Sequence, residues 1–183
     1  MSEFVEACEK GTCPRKSRFQ VLVLKYWFDL LLALSYHKSS QAHIGQIKDV
    51  LDSLAEIHYH WCELPPNKTL LLIRNVSFDE NLKARIADHN GLLSILIKEL
   101  ESHDVLVKLL AAETFWTLAN HTQRARAILK QKQVADNLKN CQTRTDHYLD
   151  PKNSNNIENL SPDTVNYYKR LNSALTASLD LLA

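Results

Sequence analysis

The sequence predicts an all-α fold, a short α-solenoid of about three to four stacked helical repeats with a C-terminal capping helix. Two observations carry this. A helical pattern runs from Thr69 to Gly91 (TLLLIRNVSFDENLKARIADHNG) and returns from Glu113 to Val134 (ETFWTLANHTQRARAILKQKQV), with Asn75 and Asn120 at corresponding points 45 residues apart. Each pass is a dense apolar run closing on an Asn, then a polar turn, then a shorter amphipathic segment. LLLALSYHKSS, Leu30 to Ser40, also matches LLLIRNVSFDE, Leu70 to Glu80, one repeat earlier. A period of this size marks helical units that cannot bury an apolar face alone and stack to complete a core.

The elements follow in order. Residues 2–9 read as a short helix stopped by Gly11 and Pro14. From Ser17 to about His37 the chain is apolar around most of a helical circumference, which predicts a helix covered on several sides in the middle of the stack. After a polar turn, HKSSQ, a single helix is expected from His43 to Trp61, with Ile44, Ile47, Val50, Leu51, Leu54, Ile57 and Trp61 at three- and four-residue steps. Pro65 and Pro66 force a stop. The next helix runs from about Asn67 to Phe78, followed by one from Asp79 to Asp88, with Gly91 as its left-handed cap. Residues 92–101 and 104–120 form a helix pair joined at Ser102, His103 and Asp104. From Asn140 to about Leu160 aliphatic residues thin out and four Asn fall between 153 and 159, which predicts a polar flexible loop. Ser161, Pro162 and Asp163 start the final helix, expected to seal the stack. The resulting division is 1–16, an N-terminal lead-in; 17–139, the repeats; 140–160, the loop; and 161–183, the capping helix.

Composition narrows the function. The 22 basic and 21 acidic side chains leave a formal charge of +1, so no global field draws the chain onto nucleic acid or an anionic membrane. The 14-residue apolar stretch from Val21 to Leu34 is shorter than the roughly 20 residues a membrane span needs, and it carries Lys25 and Asp29. The first residues show no apolar signal-peptide centre, so no export signal is expected. Cys8, Cys13, Cys62 and Cys141 lack paired metal-ligand spacing and fit a reducing cytoplasm. Nucleophile-elbow, P-loop, metalloprotease and dinucleotide motifs are absent, so neither an enzyme nor a cofactor site is expected.

The runs Leu72-Ile73-Arg74-Asn75-Val76 and Thr117-Leu118-Ala119-Asn120-His121 resemble the closing stretch of the third helix in armadillo repeats, a pattern that HEAT repeats share. The likeness covers about residues 17–139 and implies an armadillo/HEAT-like solenoid. A closer resemblance, resting on RNVSFDENLKARIADHNG, AAETFWTLANHTQRARAILKQKQV, the polar insertion and the last Leu-rich helix, is to the C-terminal region of rotatin-type centriolar proteins, called anastral spindle proteins in flies. That resemblance implies the end of a large centriole-assembly scaffold at the centrosome, without catalytic activity, which binds a helical or extended segment of another centriolar protein.

Trp116 and Asn120 lie one helical turn apart and project from one face. Their resemblance to importin-type armadillo proteins implies groove residues, an indole slot beside an amide that offers a peptide unit both donor and acceptor. Asn75 is the corresponding residue of the earlier repeat, although Leu71 stands where a second Trp would be. The alternative is that Trp116 is core and Asn120 braces the turn. Arg124, Arg126, Lys130, Lys132 and Lys139 form a basic run that can rim a groove, bind RNA, or solvate a helix face; no aromatics are interleaved there as single-stranded nucleic acid would require. His58 and Cys62 share a helix face, but nothing supplies a second pair of metal ligands. The second functional reading is a nuclear-import-type adaptor for basic peptides.

Overall fold

Leu-rich stretches separated by short polar turns become ten α-helices, with no strand, among the residues that the computed structural model describes, 18–60, 64–149 and 161–183. They are α1 (Arg18–Ser35), α2 (Lys38–Gln46), α3 (Val50–His60), α4 (Pro66–Val76), α5 (Glu80–Asp88), α6 (Asn90–Glu99), α7 (Val105–Ala119), α8 (Gln123–Gln131), α9 (Val134–Leu149) and α10 (Pro162–Leu182). The expected lead-in, Trp61, Cys62 and residues 150–160 lie outside the described residues.

The start signals act as local chemistry dictates. Pro66 opens α4 at the position where its missing N–H costs no bond. The Asp79 carboxylate accepts from the Asn81 and Leu82 amides, Asp104 from Leu106, and the Ser161 hydroxyl from Thr164, each satisfying a free donor at a helix start.

These helices assemble into three units, α2–α4, α5–α7 and α8–α10, preceded by α1 in the place of a third helix. Third helices pack in series, α1 on α4, α4 on α7 and α7 on α10; first helices do the same, α2 on α5 and α5 on α8, and α3 packs on α6. Long-range polar bonds repeat at nearly one unit's separation. Asn75 Nδ2 donates to Ser35 Oγ at 2.9 Å across 40 residues, and Arg85 donates to the Gly45 carbonyl at 2.8 Å, again across 40. Lys132 Nζ donates to the Asp88 carbonyl across 44 residues, and His58 Nε2 meets Glu99 Oε1 across 41. The fold is an α-solenoid, as the sequence predicts.

Several details differ from expectation. The most deeply covered of the described helices is α7, with ten of its fifteen residues buried, and not α1. In α1 the inner residues Phe28, Leu31 and Ser35 are buried while Leu22, Val23, Tyr26, Leu30 and Leu34 stand exposed, because no helix packs on its outer side among the described residues. The expected helix from His43 to Trp61 is two helices. KSSQ of that turn belongs to α2, with His37 as its N-cap, and the chain breaks at residues 47–49, where Asp49 takes a left-handed φ of 56°. Gly91 is not a C-cap; it lies in the first turn of α6, where a Cβ would come within 3.3 Å of Ala55 Cβ on α3. The α5–α6 junction is turned by His89 in extended geometry, φ −74° and ψ 103°, its Nδ1 accepting from the Leu92 amide. Residues 140–149, expected as loop, continue α9, since Leu138, Cys141 and Thr145 bury one face at helical steps. The closing helix α10 takes the third-helix place of the last unit and packs on α7 and α9.

Two substitutions test the contacts between units. Asn75→Ala removes a buried amide that supports Ser35, whose hydroxyl in turn donates to the Leu32 carbonyl at 2.7 Å. Urea denaturation is expected to show a loss of about 1–3 kcal/mol. Gly45→Ala drives a methyl into the side chain of buried Leu82 on α5, with an expected loss of about 1–3 kcal/mol by the same measurement.

Candidate protein-interaction groove

On α7, Glu113, Trp116 and Asn120 follow one another at steps of three and four residues, so they share one side of the helix. All three are half-buried. Neither the Trp116 indole nor the Asn120 side-chain amide makes a hydrogen bond among the described residues, which leaves a donor and a donor–acceptor pair open on one stripe. Glu113 lies between two arginines from the neighbouring third helices. Arg74 Nε of α4 stands 2.7 Å from Glu113 Oε2 as an ion pair whose N–H points off that line, and Arg170 of α10 donates to Glu113 Oε1 at 2.7 Å. Arg74 also lies over the exposed ring of Phe78, 5.4 Å from its centroid. The line Arg74–Glu113–Arg170 therefore crosses three third helices in series and fixes the stripe as a face of the stack. With one carboxylate shared by two guanidinium groups, that face carries a cationic surplus beside an indole.

The turn carrying Asn120 is anchored from the preceding unit. Lys83, buried on α5, donates from Nζ to the Asn120 carbonyl and to Glu80 Oε1, both at 2.9 Å, and Thr122 Oγ1 donates to Glu80 Oε2 at 2.7 Å. Arg126 Nε donates to the Ala119 carbonyl at 2.8 Å. Together these bonds satisfy the open carbonyls at the α7 C-terminus, and His121 turns the chain with a left-handed φ of 59°.

Of the residues singled out from sequence, Trp116 and Asn120 come together as expected. Asn75 does not join them, because it is buried and its amide is held by Ser35 on α1. The basic run does not act as one rim. Arg124 faces α5 across a cleft, Arg126 caps α7, and Lys132 bonds the Asp88 carbonyl and Asn90 Oδ1 at 2.9 Å each, so the run is partly compensated. Lys130 and Lys139 are exposed. His58 is buried against Glu99 at 3.1 Å, and no group of three His, Cys, Asp or Glu among the described residues is placed to hold a metal ion. Burial pushes the Cys141 thiol up, which makes it a poor nucleophile. The residues that sequence reading missed are Glu113, Arg74 and Arg170. Repeat alignment does not reveal them, since at the Asn75–Asn120 offset Arg74 matches Ala119 and Glu113 matches Lys68; the line exists only once the three helices are packed.

A second concavity of about 540 Å³ lies among α3, α5 and α8, lined by Asp49, Asp52, Arg85, Asp88, His89 and Arg124. Most of its charges already serve contacts between units. His89 accepts at Nδ1 from Leu92, so its Nε2–H donates to Asp52 at 3.1 Å, while Arg85 is bound to Gly45 and Asp88 faces Lys132 at 3.6 Å. This leaves the third-helix stripe as the better candidate.

The Lys83 anchor gives a pH test. Hydrogen bonds from Lys83, and then from Thr122, hold the Glu80 carboxyl below the ordinary carboxylate range. A depressed folded pKa adds stability that is present above the unfolded pKa and lost as pH falls through the folded one. Lys83→Met removes the larger cause, so the acid limb of the stability–pH curve should become shallower below about pH 4.5. An unchanged slope would contradict the assignment.

Comparison with known proteins agrees with the repeat architecture. A family profile described as Proteasome non-ATPase 26S subunit matches residues 81–155, less than half of the chain. Rotatin of Mus musculus is 28% identical over 108 residues, 59% of this chain and 5% of the relative, and Rotatin of Homo sapiens is 29% identical over 128 residues, 70% of this chain and 6% of the relative. The matched stretch is thus a small part of the length of those proteins. No solved structure matches. No described helix is long and apolar enough to cross a membrane. The similarity expected with rotatin-type proteins is present, in an all-helical repeat domain.

Proposed function

We propose that the chain is a non-catalytic protein-interaction module, the C-terminal part of a centriole-assembly scaffold acting at the centrosome in the cytoplasm. It binds a helical or extended segment of another centriolar protein along its third-helix face. The observation that carries this is the stripe on α7: a half-buried indole and an unbonded amide one turn apart, set beside Arg74 and Arg170. The amide suits a peptide backbone, the indole a large side chain, and the two guanidinium groups a carboxylate of the partner. The similarity to Rotatin supports the scaffold setting.

The reading as an adaptor for basic peptides finds less support. A groove for Lys-rich segments needs free carboxylates, and Glu113, the acid of this stripe, is already neutralised by two arginines.

The test is affinity capture from dividing-cell extract with residues 1–183 as bait, beside the variant Trp116→Ala/Asn120→Glu, read by mass spectrometry. The wild type should enrich centriole-assembly proteins and the variant should lose them. Because both side chains are half-buried, the variant's Tm should fall by no more than about 4 °C. Equal capture by both baits would move the site elsewhere. A much larger fall in Tm would place Trp116 in the core, and recovery of import substrates or ribonucleoproteins by the wild type would overturn the scaffold reading.

A further inference from the structure

Arg74 and Arg170 carry more hydrogen-bonding capacity than the fold uses, since each guanidinium has five N–H donors. Arg170, whose side chain is 50% exposed, donates once, to Glu113 Oε1 at 2.7 Å. Arg74 makes one marginal bond, from Nη1 to Asn75 Oδ1 at 3.5 Å. Its buried Nε–H, although 2.7 Å from Glu113 Oε2, has no acceptor in line. A buried donor left in that state costs free energy. What the pair lacks is an anionic oxygen, the acceptor that a guanidinium binds best.

The charge along this line is uneven. Two cations face one carboxylate, Glu113, whose side chain is only 15% exposed, and a surplus of one positive charge remains. An incoming monoanion completes the balance. A dianion overshoots it, because the cost of desolvating an ion rises with the square of its charge while its attraction to the line rises only in proportion. The second charge also meets Glu113 itself.

The spacing along α7 sets the form of the segment. At 1.5 Å per residue, Trp116 lies about 5 Å and Asn120 about 10 Å beyond Glu113 along the helix axis. An extended chain sets side chains on one face about 7 Å apart and covers 10 Å in about three residues. A helix has its backbone groups already paired, so the open Asn120 amide favours an extended segment, whose N–H and C=O groups still need partners. A carboxylate level with Glu113, a large apolar side chain two residues on against the indole, and free backbone beside Asn120 fit together in about four residues.

We propose that Glu113 is the charge selector of this stripe. It leaves Arg74 and Arg170 room for one carboxylate of an extended acid-x-apolar segment, and it turns away the same segment when a phosphate stands in the acid's place. The inference rests on the α7 stripe being the partner site, and it names the class of partner and the residue that sets it.

Two capped peptides test it, acetyl-Ala-Glu-Ala-Leu-Ala-amide and the same peptide with phosphoserine in place of Glu, which carries nearly two negative charges at about pH 7.5. Each is titrated at low salt into isotope-labelled residues 1–183 and followed by NMR through the Trp116 indole and Arg170 side-chain resonances. The wild type should bind the glutamate peptide at least about threefold more tightly. Glu113→Gln keeps the side chain's shape and removes its charge, so the preference should move toward phosphoserine by about tenfold. Arg170→Gln, at a half-exposed position, should move the preference the other way by a similar factor. Loss of fold would weaken both peptides alike, so shifts of opposite sign report charge selection. A wild type that prefers the phosphoserine peptide, or a preference that Glu113→Gln leaves unmoved, overturns the inference. A glutamate peptide that shifts neither resonance at up to about 10 mM overturns it equally. Capture from extract that still depends on Trp116 and Asn120 after such a failure keeps the stripe as the partner site, so the two readings fall separately.

Discussion

The structure depends on the burial of α7. This helix has no polar side wide enough to face water, with Val107, Leu109, Leu110, Ala111, Ala112, Phe115 and Leu118 spread around its circumference. Its two buried hydroxyls, Thr114 and Thr117, are satisfied inward by the carbonyls of Leu110 and Glu113 at 2.7 Å. Such a helix is stable only where neighbours from more than one unit surround it. Here α4 and α5 from one side, α6 and α8 in sequence, and α10 from the other all pack against it. At about 1.5–3 kcal/mol for each large apolar side chain buried, this packing is the dominant favourable term, and it exists only when the units are stacked.

Polar bonds then fix the register that burial alone leaves loose. Asn75 to Ser35, Arg85 to Gly45, Lys83 to Asn120 and Lys132 to Asp88 join equivalent points of adjacent units at separations between 37 and 44 residues. Each bond is worth about 1 kcal/mol, so their value is less in total stability than in direction. A slip of one unit along the other would strand buried groups such as Lys83 and Asn75. The same ties hold the Asn120 turn and keep the Trp116 side of α7 in place, and under the proposed function that order lowers the cost of docking a partner there.

Much of this was legible because its causes are local. Capping by Asp79, Asp104 and Ser161 and the proline stop before α4 act within a few residues of themselves, and the recurrence of Asn75 and Asn120 can be read along the chain although their bonds reach other helices. Features set by distant neighbours were not. Apolar composition marks α1 and α7 alike, and only packing shows that one is covered and the other is half bare. Gly91 looks like a cap until Ala55 is seen beside it, and the alternation that merges α2 with α3 is interrupted by one left-handed residue, Asp49. The sparse apolar residues from Asn140 to Leu149 still supply Cys141 and Thr145 to one buried face, too few to outweigh a polar composition when read alone. On the candidate stripe, the shared face of Trp116 and Asn120 follows from spacing within one helix, whereas the Arg74–Glu113–Arg170 line needs three helices to be in place.

The central claim is that α7 can exist only inside the assembled stack, so that the three units unfold together. Native-state hydrogen exchange of the amides of residues 109–119, compared with global unfolding by denaturant, tests it most directly. Exchange there should require the full unfolding free energy, with the same denaturant dependence. Exchange through a cheaper opening that releases α8–α10 while α7 stays protected, or that melts α7 while the first unit persists, would contradict the account.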